Sequence, residues 1–251
     1  MKLRLMICAM AASTVLFADD VTSATHAVMA VSDTATNTVI GVPWVKTGEG
    51  EVSPATVASL VSAASLSAGD VLYVYDDSST SVWRAYTVQN GEWTASTTIS
   101  SEGMSSVEAG EKTVTLGSGM ILQRSDPAKT IYLSGRVPTS AGSSAISAGT
   151  TAAPVRTLFA NGGAGDLELN AANVEGVAGD RIIVPQDGGA SIQYEYKDGD
   201  WGAYTKQTVT KTIGSRTITS TKDVWTPGCT IPAGKGAWYL SVGGNPSITW
   251  Q

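Results

Sequence analysis

The sequence predicts a mainly β protein: two tandem copies of a small antiparallel module, sandwich or barrel-like, with one short helix in the first copy. Three observations carry this expectation. Matching blocks of residues recur in the same order, short stretches alternate apolar with polar side chains, and turn formers punctuate them. The chain holds 27 glycines, and only 15% of it is Asp, Glu, Lys or Arg, against about 25% in a typical globular chain.

The chain is expected to open with a secretory signal peptide, residues 1–18. Lys2 and Arg4 make its positive start, Leu5 to Phe17 its apolar centre, and Ala18 a small residue at the cleavage point. Its apolar run would span about 20 Å as a helix, short of a bilayer core of about 30 Å. No later run is long enough either, so no transmembrane span is expected in the mature chain. Export by this peptide leaves a periplasmic, cell-surface or extracellular location.

The first module is assigned to residues 25–137 and the second to 155–251. SAGDVLYVYDD, from Ser67, matches VAGDRIIVPQD, from Val177; both place Gly-Asp directly before an apolar run. YTVQNGEW, from Tyr86, matches YEYKDGDW, from Tyr194, with Tyr and Trp equally spaced. Asn90-Gly91 and Asp198-Gly199 are preferred pairs for a two-residue type I′ hairpin turn. Gly117-Ser118-Gly119 aligns with Gly234-Lys235-Gly236, and the next strands, from Ile131 and Ile248, start at equal distances.

Strands are predicted over Ala27 to Val31, Thr38 to Val42, Val71 to Tyr75, Val82 to Val88 and Gln193 to Tyr196. Ser53 as N-cap and Pro54 at the first position open the predicted helix, which turns Val57, Leu60, Val61 and Ala64 to one face. Its counterpart shrinks to a turn near Asn170 to Val174. The second copy gains a Thr-rich hairpin, TVTKTIGSRTITS, around Gly214-Ser215. Residues 138–154, small and without apolar periodicity, read as a linker or long surface loop.

Composition narrows function by exclusion. The net charge is −6, and −8 once Lys2 and Arg4 are removed, with basic residues scattered, so nucleic-acid binding by phosphate neutralisation is not expected. His26 is the single histidine and lies near the mature terminus, which leaves no Ser-His-Asp or Cys-His system and no zinc cluster. No cofactor is expected. Cys8 falls within the signal peptide, so Cys229 has no partner and reads as a semi-buried thiol. The Gly228–Gly234 spacing fails the phosphate-loop pattern, and the repeat assigns the glycines beside Lys235 to a tight turn into a strand.

Carboxylate catalysis needs only two acids about 5–9.5 Å apart. Asp76-Asp77, Asp166 with Glu168, and Asp198 with Asp200 are the available clusters; most fall at predicted turns, where Asp bonds to local backbone. Calcium binding by Asp187, Asp198 or Asp200 is chemically possible, without a ligand array at EF-hand or RTX spacing. Asp70 and Asp180, at equivalent places, are expected to play one structural role twice. Trp93 and Trp201, also equivalent, are expected in the core. Trp238 and Trp250 read as apolar packing positions, standing where the first copy has Ile121 and Leu133. Trp44 and Trp225 remain the candidates for stacking on a ligand.

The IPAGKGAWYL block, with the upstream Gly-Asp strand and Tyr-to-Trp hairpin, resembles uncharacterised exported β-repeat proteins of Gram-negative bacteria with an "IPAGxGxWY" ending. More loosely, it is similar to the "GWNLVGxP … GKGYW" repeats of bacterial surface proteins, VIGVPW (Val39 to Trp44) matching the first part. The first copy departs from the ending, with GSGMIL where the pattern has an aromatic. The resemblance implies an exported β fold and supplies no catalytic residue. The leading expectation is therefore a non-enzymatic exported structural or interaction protein of the cell envelope or extracellular space, its partner an envelope protein or a glycan. The alternatives are a carbohydrate-binding protein using exposed Trp residues and, third, a carboxylate-based glycoside hydrolase.

Overall fold

The computed structural model describes residues 26–31, 36–42, 55–76, 82–100, 103–136, 142–163, 165–172, 174–186, 190–244 and 246–250. The expected signal peptide, Trp44, Ser53-Pro54, Asp77 and Asp187 lie outside these residues. So do the side chains of His26, Asp76 and Trp250. The described chain is mainly β, with antiparallel pairing throughout the named strands.

In the first half the elements are β1 (His26–Val31), β2 (Asn37–Gly41), β3 (Ala55–Thr56), α1 (Val57–Leu60), β4 (Val71–Asp76), β5 (Val82–Gln89), β6 (Glu92–Trp93), β7 (Ser96–Ser100), β8 (Gly103–Val107), β9 (Thr113–Val114), β10 (Gly119–Gln123) and β11 (Ile131–Arg136). The second half holds β12 (Gly142–Ala145), β13 (Val155–Ala160), β14 (Leu167–Glu168), β15 (Arg181–Pro185), β16 (Ser191–Lys197), β17 (Asp200–Ile213), β18 (Arg216–Pro227), β19 (Thr230–Ile231), β20 (Gly236–Ser241) and β21 (Ser247–Trp250). The main sheets run β2-β10-β4-β5-β6 and β13-β20-β15-β16-β17-β18. Beside them lie the ribbons β1-β11, β3-β9 and β7-β8 in the first half, and β12-β21 and β14-β19 in the second.

Alternation sets which side chains these sheets bury. Leu72 and Val74 of β4, Tyr86 and Val88 of β5, and Met120 and Leu122 of β10 form one core with Leu60, Ile131 and Leu133. Ile182, Val184, Tyr239, Phe159, Trp201 and Ile248 form the other. Asn90 (φ 53°) and Gly91 (φ 79°) are both left-handed, as are Asp198 (φ 54°) and Gly199 (φ 95°). Two successive positive φ values define the type I′ turn expected for these pairs.

The helix differs from the sequence expectation. Its N-cap is Thr56, not Ser53: Ala55 and Thr56 are still extended and pair with Val114 and Thr113, so the helix starts at Val57. The Thr56 side chain accepts from the Ser59 N–H at 3.3 Å, and the Ser59 hydroxyl accepts from the Thr56 N–H at 2.8 Å, closing a capping box. Val61 returns to extended backbone and bridges to Leu133, which ends the helix after one turn. A 3-10 turn at Ala63–Ser65 then buries Ala63, while Ala64 points to solvent instead of completing the apolar face.

Of the small-residue run, residues 142–146 are tied down by backbone pairing. Gly142–Ala145 pairs with Ser247–Trp250, and the Ile146 N–H donates to the Pro246 carbonyl at 3.1 Å. Ile146, the one large apolar residue in this small-residue run, is buried in the core holding Ile248. One such anchor, with strand pairing beside it, is enough to tie the segment to the second half.

The halves meet where β2 and β10 approach β13 and β20. The Gly41 N–H donates to the Gly234 carbonyl at 2.9 Å, and the Ala160 N–H donates to the Gly117 carbonyl at 2.8 Å. Ile40 bridges Lys235, and Ser118 bridges Phe159. Each half therefore contributes the same kind of bond to the other, the reciprocity of an isologous interface. Gly117 (φ 77°) and Gly234 (φ 71°) make the expected turns. Gly119 and Gly236 serve closeness instead. A Cβ on Gly119 would lie 2.6 Å from Leu158 Cγ, and one on Gly236 would lie 2.6 Å from Val39 Cγ1 and 2.9 Å from the Phe159 carbonyl oxygen. Gly236→Ala is therefore expected to destabilise the fold by about 1–3 kcal/mol through overpacking. Gly110→Ala, with nothing near its added Cβ, should stay within about 0.5 kcal/mol. Urea unfolding followed by tryptophan fluorescence distinguishes the two.

Candidate functional site

The polar residues singled out by sequence divide into buried braces and exposed groups. Asp70 and Asp180 are buried. The Asp70 carboxylate accepts from the Ser67 N–H at 2.9 Å, and from the Ser125 N–H and hydroxyl at 2.7 Å each. Asp180 accepts from the Val177 N–H at 2.8 Å, the Val242 N–H at 2.7 Å and the Tyr239 hydroxyl at 2.7 Å. Each ties the tight turn before a strand to the loop after β10 or β20, in corresponding places. Saturated with local donors in this way, neither is presented to a ligand.

The indoles of Trp93 and Trp201 also act alike. Their ring N–H groups donate to the carbonyls of Val61 at 2.9 Å and Val174 at 2.8 Å. Trp201 is fully buried, whereas Trp93 packs half-buried at the edge of its core. Cys229 is buried and free.

Of the acidic clusters, Asp166 and Glu168 line one cavity of about 350 Å³ together with Asn161 and Thr249. Asp166 accepts from the Ala233 N–H at 3.0 Å, and Glu168 accepts from the Thr230 hydroxyl. Asp198 occupies the hairpin turn, and Asp200 is exposed beside it. Among the described residues, no group of three or more His, Cys, Asp or Glu side chains is placed to hold a metal ion.

Trp225 stands at the base of a feature whose extent the sequence did not reveal. The expected Thr-rich hairpin is the outer part of a ribbon, β17 and β18, paired from Gly202↔Pro227 to Ile213↔Arg216. From Tyr204 to Asp223 every residue is exposed, so both faces of the ribbon meet solvent. Gly214 has positive φ (61°) and Ser215 does not, the pattern of a type II′ turn. One face carries Thr208↔Thr221, Thr210↔Thr219 and Thr212↔Thr217 in direct register. Cross-strand Thr pairs and high β propensity hold such a ribbon extended without a core.

At its base, Tyr204 lies opposite Trp225, with ring centroids 5.2 Å apart and planes at 63°. Trp225 covers the bare Cα of Gly202, where an added Cβ would sit 2.6 Å from the indole Cζ2. Lys197 Nζ donates to the Tyr204 hydroxyl at 3.2 Å and lies 5.8 and 5.9 Å from the Tyr204 and Trp225 ring centroids. That hydrogen bond raises the Lys197 pKa from its ordinary value. Two partly exposed rings and an ammonium group thus converge at the root of the ribbon.

A second aromatic group lies where the halves meet. Tyr75 and Trp83, opposite each other on β4 and β5, have centroids 5.4 Å apart, and Trp83 lies 6.4 Å from Trp238 of the second half. Tyr75 is 46% and Trp83 38% exposed. Trp238 is half-buried against Trp83, and Ile121, which stands at the matching place on β10, is half-buried too. The contact joins residues more than 150 positions apart. Alternation on β4 could have flagged Tyr75; nothing in the sequence places Trp238 beside it.

Comparison of the chain with protein-family models, with curated proteins and with solved structures finds no match. Among the described residues, no helix is long and apolar enough to cross a membrane.

Two buried protons make stability sensitive to alkali. Burial, with Glu168 nearby, pushes the Cys229 thiol far above its ordinary 9.0. Burial, followed by the hydrogen bond to Asp180 and the charge of Asp180, likewise pushes the Tyr239 hydroxyl far above 10.0. Above pH 9 the unfolded chain releases the thiol proton that the folded chain retains, so stability falls as pH rises; Tyr239 adds to the slope above pH 10. Denaturant midpoints measured from pH 7 to 10.5 should decline from about pH 9. Cys229→Ala should flatten the part of the decline below pH 10.

Proposed function

We propose that the chain is an exported structural or interaction protein of the bacterial cell envelope or extracellular space, acting without catalysis and making contact through the β17–β18 arm. The arm carries this reading. A ribbon with two solvated faces is marginal by itself, and here it is extended well beyond the body that anchors it. Matching strand orders, paired Asp braces and paired indole bonds in the two halves favour descent from one duplicated module. In that module the arm is an elaboration of one hairpin, not part of the common frame. The resemblance to exported β-repeat proteins favours the same setting.

The arm can be removed without opening a core. Replacing 206–223 by Asn-Gly, so that Thr205 turns directly to Val224, should leave the body's thermal unfolding unchanged. After expression in a Gram-negative host, the intact chain is expected to sediment with the envelope and the shortened chain to appear in the soluble exported fraction. Equal distribution of both chains would remove the arm from the reading. Turnover of a glycan by the purified chain would replace the reading with a hydrolase, and Asp166 and Glu168 would be the first residues to test.

The cluster of Lys197, Tyr204 and Trp225 favours carbohydrate binding as a second reading, since aromatic rings with a nearby donor can receive a sugar. It calls for a saturable change in tryptophan fluorescence on titration with bacterial, plant or mucin glycans. That change should vanish in Trp225→Ala and weaken in Lys197→Ala while the fold is retained. An unaltered response in both variants would exclude the cluster.

A further inference from the structure

We propose that two copies of the chain join through their arms, β18 pairing antiparallel with β18 of a second copy about a two-fold axis at Thr221. This inference rests on the reading of the arm as the contact element. β18 is the last strand of its sheet: β17 bonds to it from one side, and among the described residues none pairs with its other edge from Arg216 to Pro227. The outer edge of β17 is also open beyond Gly202, but β16 occupies its start. Among the described residues β18 is thus open on its outer side along its whole length, as far as Pro227, which has no N–H to donate. Such edges are the usual templates for strand addition.

A second copy fits this edge because one register combines nearly full overlap of the strand with no opposed like charges. Across a two-fold axis perpendicular to the sheet, opposed residues must point to the same face, so a one-residue slip is forbidden. Two of the permitted registers overlap β18 almost end to end. One sets Lys222 against its own symmetry mate, a like-charge pair that disfavours it. The other puts Thr221 on the axis and opposes Ser220 with Lys222, Thr219 with Asp223, Ile218 with Val224 and Thr217 with Trp225. No like charges are opposed, and Ile218, which is 53% exposed in the single chain, gains an apolar neighbour. Shifting the pairing two steps further toward the tip would bring Arg216 opposite Lys222. The register with its axis at Ser220 opposes no like charges either but pairs only Arg216 to Val224, so charge and extent of overlap together select the register on Thr221.

An interface made of one strand edge is small, so association in the micromolar range is expected. Sedimentation velocity of the purified intact chain from about 1 to about 100 μM should reveal a monomer–dimer equilibrium. Thr221→Lys, which places like charges on the axis, should weaken dimerisation at least about tenfold while circular dichroism and thermal unfolding stay unchanged. Under mild oxidation, Thr221→Cys should give a disulfide-linked dimer in high yield, with Ser220→Cys and Lys222→Cys giving much less. The wild type should stay unlinked because Cys229 is buried.

A monomer across this concentration range overturns the proposal. So does a dimer indifferent to Thr221→Lys, or a linkage maximum away from residue 221. A monomeric chain that still sediments with the envelope only when the arm is present would refute the dimer and leave the arm as contact element.

Discussion

The structure depends on backbone meeting backbone at the junction of its halves. Gly41 and Ala160 each send an N–H across to a carbonyl in the other half, at Gly234 and Gly117. The distances are attainable because Gly119 and Gly236 offer no side chain at the contact. Ser144 adds a bond from its hydroxyl to the same Gly117 carbonyl at 2.8 Å. Each half has its own apolar cluster. What brings them this close is a short run of backbone whose geometry tolerates almost no substitution, with Leu116 packing across onto the second cluster. The Tyr75–Trp83–Trp238 contact and the cleft of about 490 Å³ lined by residues of both halves follow from that approach.

Much of the frame was legible because local rules and global packing agree. Asn90-Gly91 and Asp198-Gly199 required positive φ at two successive residues and obtained it. Alternation on Val71 to Tyr75 and Val82 to Val88 marked real strands, because one face of each meets a core. The helix was misplaced because Ser53-Pro54 carries a start signal while the pairing of Ala55 and Thr56 with β9 keeps the backbone extended two residues longer. Residues 142–146 carry no strand signal because pairing with β21 demands no large side chains, and only Ile146 betrays burial.

The candidate site was less legible, for a physical reason. Trp225 is a stacking candidate by sequence, and the structure gives it Tyr204 and Lys197 as companions. Those contacts depend on the register of a long hairpin, and a Thr-rich hairpin has no hydrophobic pattern to fix its length by inspection. The two aspartates show the opposite case. Their position before matching strands already implied a brace, and the donors around Asp70 and Asp180 are the chemistry of one.

The arm also divides the molecule into regions of unequal persistence. Its amides beyond Thr205 have a partner strand on one side and water on the other, with no buried side chain to resist opening. Amide hydrogens there should exchange by local fraying, long before those of β10 and β20 exchange by global unfolding. Lys206, Lys211, Arg216 and Lys222 all lie on this frayable stretch. A trypsin-like protease cutting there would leave the two cores closed and take away only the projecting ribbon.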